Sequence, residues 1–159
     1  MILDTSAILA ILFKESDAPY FARRIAAAVP CRMSVANLLE AAIVIGGRGE
    51  SAESDLDRFV DAAEIELMPV TTEQVARARE AWRRFGKGNH PAALNFGDCF
   101  AYALARTTGE PLLLKGEDFS RTDVESALAA GDADLQPPAE EARGSAEGVR
   151  SPRDNSEPD

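Results

Sequence analysis

Three stretches of this chain are apolar except for one carboxylate each, and this pattern constrains the fold more than any other. Asp4 is the single charged side chain among residues 1–13, which read MILDTSAILAILF. Glu40 is the single charge in LLEAAIVI, and Asp98 is the single charge in LNFGDCFAYALA. A lone carboxylate in a buried segment is costly unless it is paired, protonated or bound to a metal. We therefore expect these three acids to converge on one divalent cation.

Size and composition limit the class of protein. The 159 residues, 45% of them hydrophobic, are enough for one domain with a core. No apolar stretch approaches the roughly 20 residues that a membrane span needs, and no basic segment precedes the first apolar run as in a signal peptide. We expect a cytoplasmic protein with no membrane contact. Cys31 and Cys99 lie far apart without a CxxC motif, so we expect both to be reduced core residues.

Charge divides the chain into two parts. The net charge is −10, and residues 131–159 supply half of it with eight acidic and three basic side chains. We predict one domain over residues 1–130 and a disordered acidic tail over residues 131–159. The rest of the chain, outside this tail, also has a negative net charge. This is unusual for a nucleic-acid binder, because such a protein generally presents a basic face.

Strand and helix signals alternate in the order β-α-α-β-α-α-β-α-α-β, with a short closing element over residues 122–128. This order predicts an α/β fold with a mostly parallel sheet covered on both faces. Asp4 follows the first strand, and Asp118 follows the last strand, LLL at residues 112–114. Ligands of parallel α/β sheets bind at the carboxyl ends of the strands. Helices carrying Glu40 and Asp98 can pack against the same edge.

Capping signals predict where several helices begin. Thr5 or Ser6 is expected to cap a helix over residues 7–13, and Ser34 a helix reaching about residue 48. The spacing of paired caps occurs twice, in Thr71 with Gln74 and in Asn95 with Asp98. On the helix after Ser34, a wheel of 100° per residue predicts a buried stripe that leaves Glu40 off its centre. The stripe consists of Val35, Leu38, Leu39, Ala42 and Gly46.

Each acid also has a simpler interpretation. Asp4 can be a helix cap with no other role, and Glu40 can be a surface residue on a helix. Asp98 is suited to complete a cap and to complement the helix dipole. Caps are usually exposed, however, and the segment around Asp98 is apolar on nearly every side. The lone histidine, His90, lies on a loop and is expected to be incidental.

The body of the chain concentrates positive charge on one predicted helix. Arg79, Arg83 and Lys87 are spaced four apart and form one ridge if the helix continues through them. The ridge is either a solvated helix face, a set of phosphate contacts or a docking surface for an acidic partner.

A cluster of carboxylates has a restricted chemistry. Two carboxylates about 4 Å apart repel by about 4 kcal/mol at an effective dielectric of about 20. An oxygen-only cluster therefore needs a cation, and it suits Mg²⁺ or Mn²⁺ better than Zn²⁺. A metal of this kind activates water and stabilises the transition state of phosphodiester hydrolysis.

The same residues resemble a known family. MILDTSAILAIL, LLE, LNFGDCFAYALA and LLLKGEDFSRTDV occur in the order and spacing of the PIN-domain ribonucleases, and more closely of the VapC toxins of bacterial toxin–antitoxin pairs. The resemblance covers residues 1 to about 128. It implies a three-layer α/β/α sandwich, a Mg²⁺-dependent (or Mn²⁺-dependent) endoribonuclease acting on structured RNA such as tRNA or rRNA, a cognate antitoxin and a homodimer.

The resemblance also implies roles for individual residues. Asp4, Glu40 and Asp98 match the acidic triad of the family, and Asp118 matches its more variable fourth acid. Asp4 and Asp98 would bind Mg²⁺ directly, while Glu40 would act through a water. The resemblance implies supporting roles for Thr5, Ser6 and Glu117, with Glu117 competing with Asp118 for the metal. In a protein of this kind, the basic ridge of Arg79, Arg83 and Lys87 would contact RNA or the antitoxin.

Other functions stay open from the sequence. Phosphatases of the haloacid-dehalogenase type also begin with an Asp after the first strand, but they need a second Asp where this chain has Ser6. A non-catalytic binding module with the same four acids would bind its partner without cleaving RNA. A nuclease of ordinary RNA maturation would share the site but have no toxic role.

Overall fold

A four-stranded, all-parallel sheet forms the centre of the protein. The computed structural model describes residues 1–128, and its strands are β1 (Ile2–Leu3), β2 (Arg32–Ser34), β3 (Glu66–Met68) and β4 (Leu112–Leu113). Their order across the sheet is β3-β2-β1-β4, and every neighbouring pair is parallel. The predicted α/β class is confirmed. The predicted end of the domain at residue 130 and the predicted acidic tail lie outside the described residues.

Six helices connect and cover these strands. They are α1 (Thr5–Leu12), α2 (Ala18–Ala27), α3 (Val35–Gly46), α4 (Glu50–Ala62), α5 (Thr72–Phe85) and α6 (Phe96–Thr108). The predicted order of strands and helices is confirmed. The closing element differs, because a 3₁₀ turn covers Asp118–Arg121 and the segment after it makes only one parallel bridge, between Leu112 and Ser126.

Alternate residues of the strands bury two separate cores, which makes the fold a three-layer sandwich. Leu3, Met33 and Leu113 pack into the core beneath α1 to α4. Ile2 and Leu112 point to the opposite face and pack into the core beneath α5 and α6. This is the two-residue periodicity of a strand that is buried on both faces.

The helix starts follow the capping chemistry, with one correction. Asp4, and neither Thr5 nor Ser6, caps α1: its backbone is extended and its side chain accepts from Ser6 N. The helix therefore begins immediately after β1, with no loop between them. The predicted cap at Ser34 and the paired caps at Thr71–Gln74 and Asn95–Asp98 are confirmed.

The predicted buried stripe of α3 is only partly correct. Leu38 and Ala42 are partly buried and pack against the core, whereas Leu39 is 61% exposed and Val35 and Gly46 are exposed as well. The fully buried residues are Asn37, Ala41 and Ile45. The reason is that α3 turns a polar residue, Asn37, toward its neighbours, as described below. Hydrophobicity alone therefore does not locate the centre of the buried side of this helix.

The interior of the described chain agrees with the composition. Cys31 and Cys99 are both buried free thiols, as predicted. Within residues 1–128, no helix combines the length and the apolar character that crossing a bilayer requires.

The amino terminus is fixed by ionic contacts at the end of the sheet. The Met1 ammonium donates to Glu110 Oε2 at 2.6 Å and to the Pro30 carbonyl at 3.0 Å. The Arg32 guanidinium pairs with the same Glu110 carboxylate and, at 2.7 Å, with Glu66. Burial opposes ionisation of Glu110, but its bonds to the Met1 ammonium and Arg32 outweigh burial and hold the pKa of this carboxyl below its usual 4.5. Glu110 thus ties β1 and β2 to the loop before β4.

Glu110→Gln is expected to lower the free energy of unfolding by about 1–2 kcal/mol at pH 7, since hydrogen bonds to charged groups contribute in this range. The pKa of Glu110 is lowered by folding, so its contribution is present above pH 4.5 and is lost as the pH falls through the folded-state pKa. Urea unfolding of the untagged chain at pH 7 and pH 3 measures the difference. The exposed Glu125→Gln is the control, and equal stability of both variants at pH 7 would contradict this role.

Candidate active site

The predicted acids meet in a cleft at the carboxyl edge of the sheet. Strands β2 and β3 lie on one side of β1, and β4 lies on its other side. The order of the strands across the sheet therefore reverses between β1 and β4. Open α/β sheets bind their ligands at this kind of position. A cleft of about 190 Å³ opens here. Its lining includes all four predicted acids, namely Asp4, Glu40, Asp98 and Asp118, together with Thr5, Ser6, Asn95 and Lys115.

Asp4 has one satisfied and one unsatisfied oxygen. Its Oδ2 accepts from Ser6 N at 2.8 Å and from Ser6 Oγ at 2.6 Å, while its Oδ1 is buried without a hydrogen-bond partner. Ser6 Oγ in turn accepts from Lys115 N at 2.9 Å, which links the end of β1 to the end of β4. Desolvation raises the pKa of Asp4, and the charge of Glu40 adds to this effect. The cap function of Asp4 therefore uses only half of its carboxylate.

Glu40 is held by the residue next to Asp4. Thr5 Oγ1 donates to Glu40 Oε2 at 2.6 Å, so Thr5 supports Glu40 and Ser6 supports Asp4. The Glu40 carboxylate lies directly against Gly97, where a Cβ would come within 2.1–2.2 Å of three carboxyl atoms. Only glycine leaves room for Glu40 at this place. The contact also puts a negative charge beside the amino terminus of α6, where the helix dipole favours it.

Asp98 is both a cap residue and a buried acid. Its Oδ2 accepts from Asn95 N at 2.7 Å, and Asp98 N donates to Asn95 Oδ1 at 3.0 Å. The side chain is nevertheless 8% exposed. Desolvation, together with the charges of Asp4, Asp118 and Glu40, raises the pKa of Asp98 to about 7. Four acids thus influence one another across the cleft.

The structure separates Asp118 from Glu117. Asp118 lines the cleft from the first position of the 3₁₀ turn, whereas Glu117 lines a neighbouring cavity beside Asp17. Lys115 is the cation nearest to these acids in the lining, but its Nζ pairs with Asp17 at 3.0 Å and with Glu15. Its charge is therefore already compensated outside the acid cluster.

The donor set fits a hard divalent cation. As the side chains are placed, no three His, Cys, Asp or Glu groups within residues 1–128 come close enough to hold one metal ion together. Uncompensated carboxylates repel one another and spread apart, so this separation is expected of the acids alone. Mg²⁺ retains several waters and needs only one or two carboxylates. The buried, unpartnered Oδ1 of Asp4 and the raised pKa of Asp98 are what such a cation would relieve.

The basic ridge is shorter than predicted. Helix α5 ends at Phe85, so Lys87 lies beyond it and does not continue the line of Arg79 and Arg83. These two arginines border an apolar groove with Trp82 and Phe96, and neither forms an ion pair within the described part of the chain. His90 is outside the cleft lining; its Nδ1 accepts from Ala92 N, in agreement with an incidental role.

Two residues of the site escape motif-based reasoning. Asn37 donates to the Gly97 carbonyl at 3.0 Å, and Gly97 is the glycine on which Glu40 rests. A polar residue inside the apolar run VANLLEAAIVIG, and a glycine in the first turn of a helix, are the signals that mark them in the sequence.

Known proteins match most of this chain in sequence. A family model described as the PIN domain matches residues 1–125. A ribonuclease VapC of Mycolicibacterium smegmatis is 49% identical over 125 residues, which are 78% of this chain and 97% of that protein. Ribonuclease VapC30 of Mycobacterium tuberculosis is 46% identical over 125 residues, covering 78% of this chain and 95% of that protein.

Solved structures share the fold. The crystal structure of Mycobacterium tuberculosis VapC20, described as a sarcin-ricin loop cleaving toxin, superposes with a TM-score of 0.65 at 20% identity over 77% of this chain and 95% of that one. A toxin–antitoxin complex from Klebsiella pneumoniae superposes with a TM-score of 0.57 at 14% identity over 77% of this chain and 92% of that one. The predicted resemblance is confirmed, and the chain belongs to the VapC ribonucleases of the PIN-domain family.

Proposed function

We propose that this protein is a cytoplasmic, Mg²⁺-dependent endoribonuclease toxin that cleaves structured RNA, tRNA or rRNA, and that a cognate antitoxin neutralises it. The observation that carries the proposal is the cleft at the end of β1, where four acids influence one another and Asp4 Oδ1 is buried without a partner. The names of the VapC relatives support the ribonuclease activity. The Klebsiella pneumoniae complex, which has the same fold, supports an antitoxin partner.

In this proposal Asp4 and Asp98 hold the metal directly, Glu40 acts through a water, and Asp118 completes the site. When bound, Mg²⁺ or Mn²⁺ supplies an activated water and stabilises negative charge on the phosphate. Ser6 keeps Asp4 Oδ2 occupied, which directs the free Oδ1 to the metal. Thr5 keeps Glu40 turned toward the cleft, where its carboxylate can orient the attacking water.

The cleft explains how an acidic chain can act on RNA. A phosphodiester cannot approach several carboxylates without a cation between them, and Lys115 is engaged by Asp17 and Glu15. Asn95 lines the cleft and its neighbour Phe96 lines the groove of Arg79. Adjacent residues thus line the acidic cleft and the groove that the arginines border. Arg79, Arg83 and the separate Lys87 are the residues that we propose for contacts with RNA or antitoxin.

The exposed apolar residues favour a homodimer. Seven of the nine large apolar side chains that are exposed within residues 1–128 lie on α3, α5 or the first position of α6. These are Val35, Leu39, Ile43, Val44, Val75, Trp82 and Phe96. Helix α6 packs on both α5 and α3, so these exposed residues lie on helices that are connected through α6. Large apolar surfaces of this kind mark sites of association.

Asp98→Asn is the first test of the proposed metal site. At pH 8, above the pKa of about 7 for Asp98, Mn²⁺ at 100 times its Kd should stabilise the wild type by about 2.7 kcal/mol. The variant should show little of this increase, and its metal-free form should be as stable as the wild type or more so because like-charge repulsion is removed. Thermal melting across Mg²⁺ and Mn²⁺ titrations measures both effects.

The same variant should lose RNA cleavage by at least about 100-fold, since the metal contributes several kcal/mol to the transition state. Asp57→Asn, on the exposed side of α4, is the control and should cleave like the wild type. Metal-independent melting of both proteins would favour the binding-module alternative. Growth arrest on expression that Asp98→Asn abolishes would distinguish a toxin from an RNA-maturation nuclease.

Ile43→Glu should convert the proposed dimer to a monomer, because it buries a charge in an apolar interface. Sedimentation velocity of wild type and variant measures the change. Val29→Glu introduces the same charge at another exposed apolar residue, 87% exposed, and should leave the dimer intact. A wild type that sediments as a monomer at tens of micromolar would contradict the homodimer.

A further inference from the structure

Asn37 is the least exposed polar side chain in the described structure. Its exposed fraction is 0%, compared with 4% for Asp4 and 8% for Asp98. It lies on α3, one turn before Glu40, so the two residues share a face of the helix. Asn37 therefore belongs to the buried side of α3, which the hydrophobic pattern of the sequence did not predict.

The Asn37 amide joins three elements around Glu40. Its Nδ2 donates to the Gly97 carbonyl of α6 at 3.0 Å, and lies 3.3 Å from Thr5 Oγ1 and 3.4 Å from Glu40 Oε2. The Thr5 hydroxyl also donates to the backbone carbonyl of Asn37, with Oγ1 3.2 Å from the carbonyl oxygen. Asn37 therefore contacts the start of α1, the start of α6 and the carboxylate that lies between them.

Stability alone does not explain an amide at this place. Asn37 Oδ1 is buried and has no hydrogen-bond partner. An unsatisfied buried acceptor carries its full desolvation cost, and an apolar residue of similar volume would avoid it. The Oδ1 atom of Asn37 thus destabilises the core, and the reason for an asparagine here lies in the hydrogen bonds that its Nδ2 atom donates.

We propose that Asn37 is a positioning residue, which holds Glu40 against Gly97 and thereby fixes its separation from Asp98. The bond to the Gly97 carbonyl sets how closely α3 approaches α6, and Asp98 is the next residue along α6. Glu40 then has Thr5 on one side and Gly97 on the other, and its carboxylate stays in the cleft. The proposal rests on the proposed metal site, for which the spacing of the two acids matters.

Asn37→Leu removes the donors while keeping the branched shape of the side chain. We expect Mn²⁺ affinity to fall by about 10- to 100-fold, the range observed when a residue that orients a metal ligand is replaced. Leucine is larger than asparagine and leaves the Gly97 carbonyl without this donor, so melting of the metal-free protein reports the cost to the fold separately. Isothermal titration of the full chain with MnCl₂ at pH 8 and melting without metal measure the two quantities.

A double-mutant cycle separates positioning from packing. If Asn37 acts through Glu40, Asn37→Leu should change Mn²⁺ affinity by less than about twofold in a Glu40→Gln background. An equal loss in both backgrounds would show that Asn37 acts through the fold in general and would overturn the proposal. Should the leucine variant not fold, Asn37→Ser, whose hydroxyl is too short to reach α6, takes its place in the same cycle.

Gly97→Ala disturbs Glu40 from its other side without changing Asn37. Because a Cβ there would overlap the Glu40 carboxyl, this variant should lose Mn²⁺ affinity to a similar extent. Gly47→Ala is the matched control: its φ of −64° suits alanine and its Cβ would meet no neighbour within 4 Å.

The outcomes distinguish this proposal from the proposed function. Wild type that does not bind Mn²⁺ would overturn the metal site and, with it, the role of Asn37. Wild type that binds Mn²⁺ while Asn37→Leu binds equally well would overturn only the positioning role. Weak binding by Asn37→Leu and Gly97→Ala, with normal binding by Gly47→Ala and little further loss from Asn37→Leu in the Glu40→Gln background, would support it.

Discussion

Repulsion among carboxylates that no cation within residues 1–128 neutralises governs the architecture of the cleft. Lys115 lines it, but its ammonium is paired with Glu15 and Asp17 outside the cluster. The acids are instead tolerated through local donors, Ser6 for Asp4 and Asn95 for Asp98. These bonds offset part of the desolvation cost and leave the repulsion uncompensated. In the proposed function, a cation bound in the cleft would compensate this repulsion.

The observed cap roles of Asp4 and Asp98 are compatible with the proposed metal-binding role, because each carboxylate has two oxygens. Asp4 caps α1 with Oδ2 and keeps Oδ1 free, and Asp98 completes the cap of α6 while facing the cleft. Capping places each acid at a helix start beside the end of a strand. The requirements of folding therefore bring the acids to the place where the proposed chemistry needs them. A cap that serves only the helix would not need to be buried.

Local signals predicted most of this fold because local chemistry determines most of it. The alternation of strands and helices and the paired caps depend on neighbouring residues, and the structure confirms them. The buried side of α3 depends on a partner 60 positions away, since Asn37 bonds to Gly97. A helical wheel represents one helix by itself and therefore does not include a contact to another helix. The same limit applies to Lys87, whose place in the ridge depended on where α5 ends.

The orientation of α3 connects the interior of the site with the outer surface of the molecule. Turning Asn37 and Ala41 inward brings Glu40 to the cleft, and it necessarily turns Leu39 and Ile43 outward. Exposure of these large apolar side chains to water is unfavourable, and a monomer alone does not offset this free-energy cost. A partner surface that covers α3 would offset this cost and hold the helix in the orientation that the cleft requires. Association and positioning of Glu40 would then stabilise each other through one rigid helix.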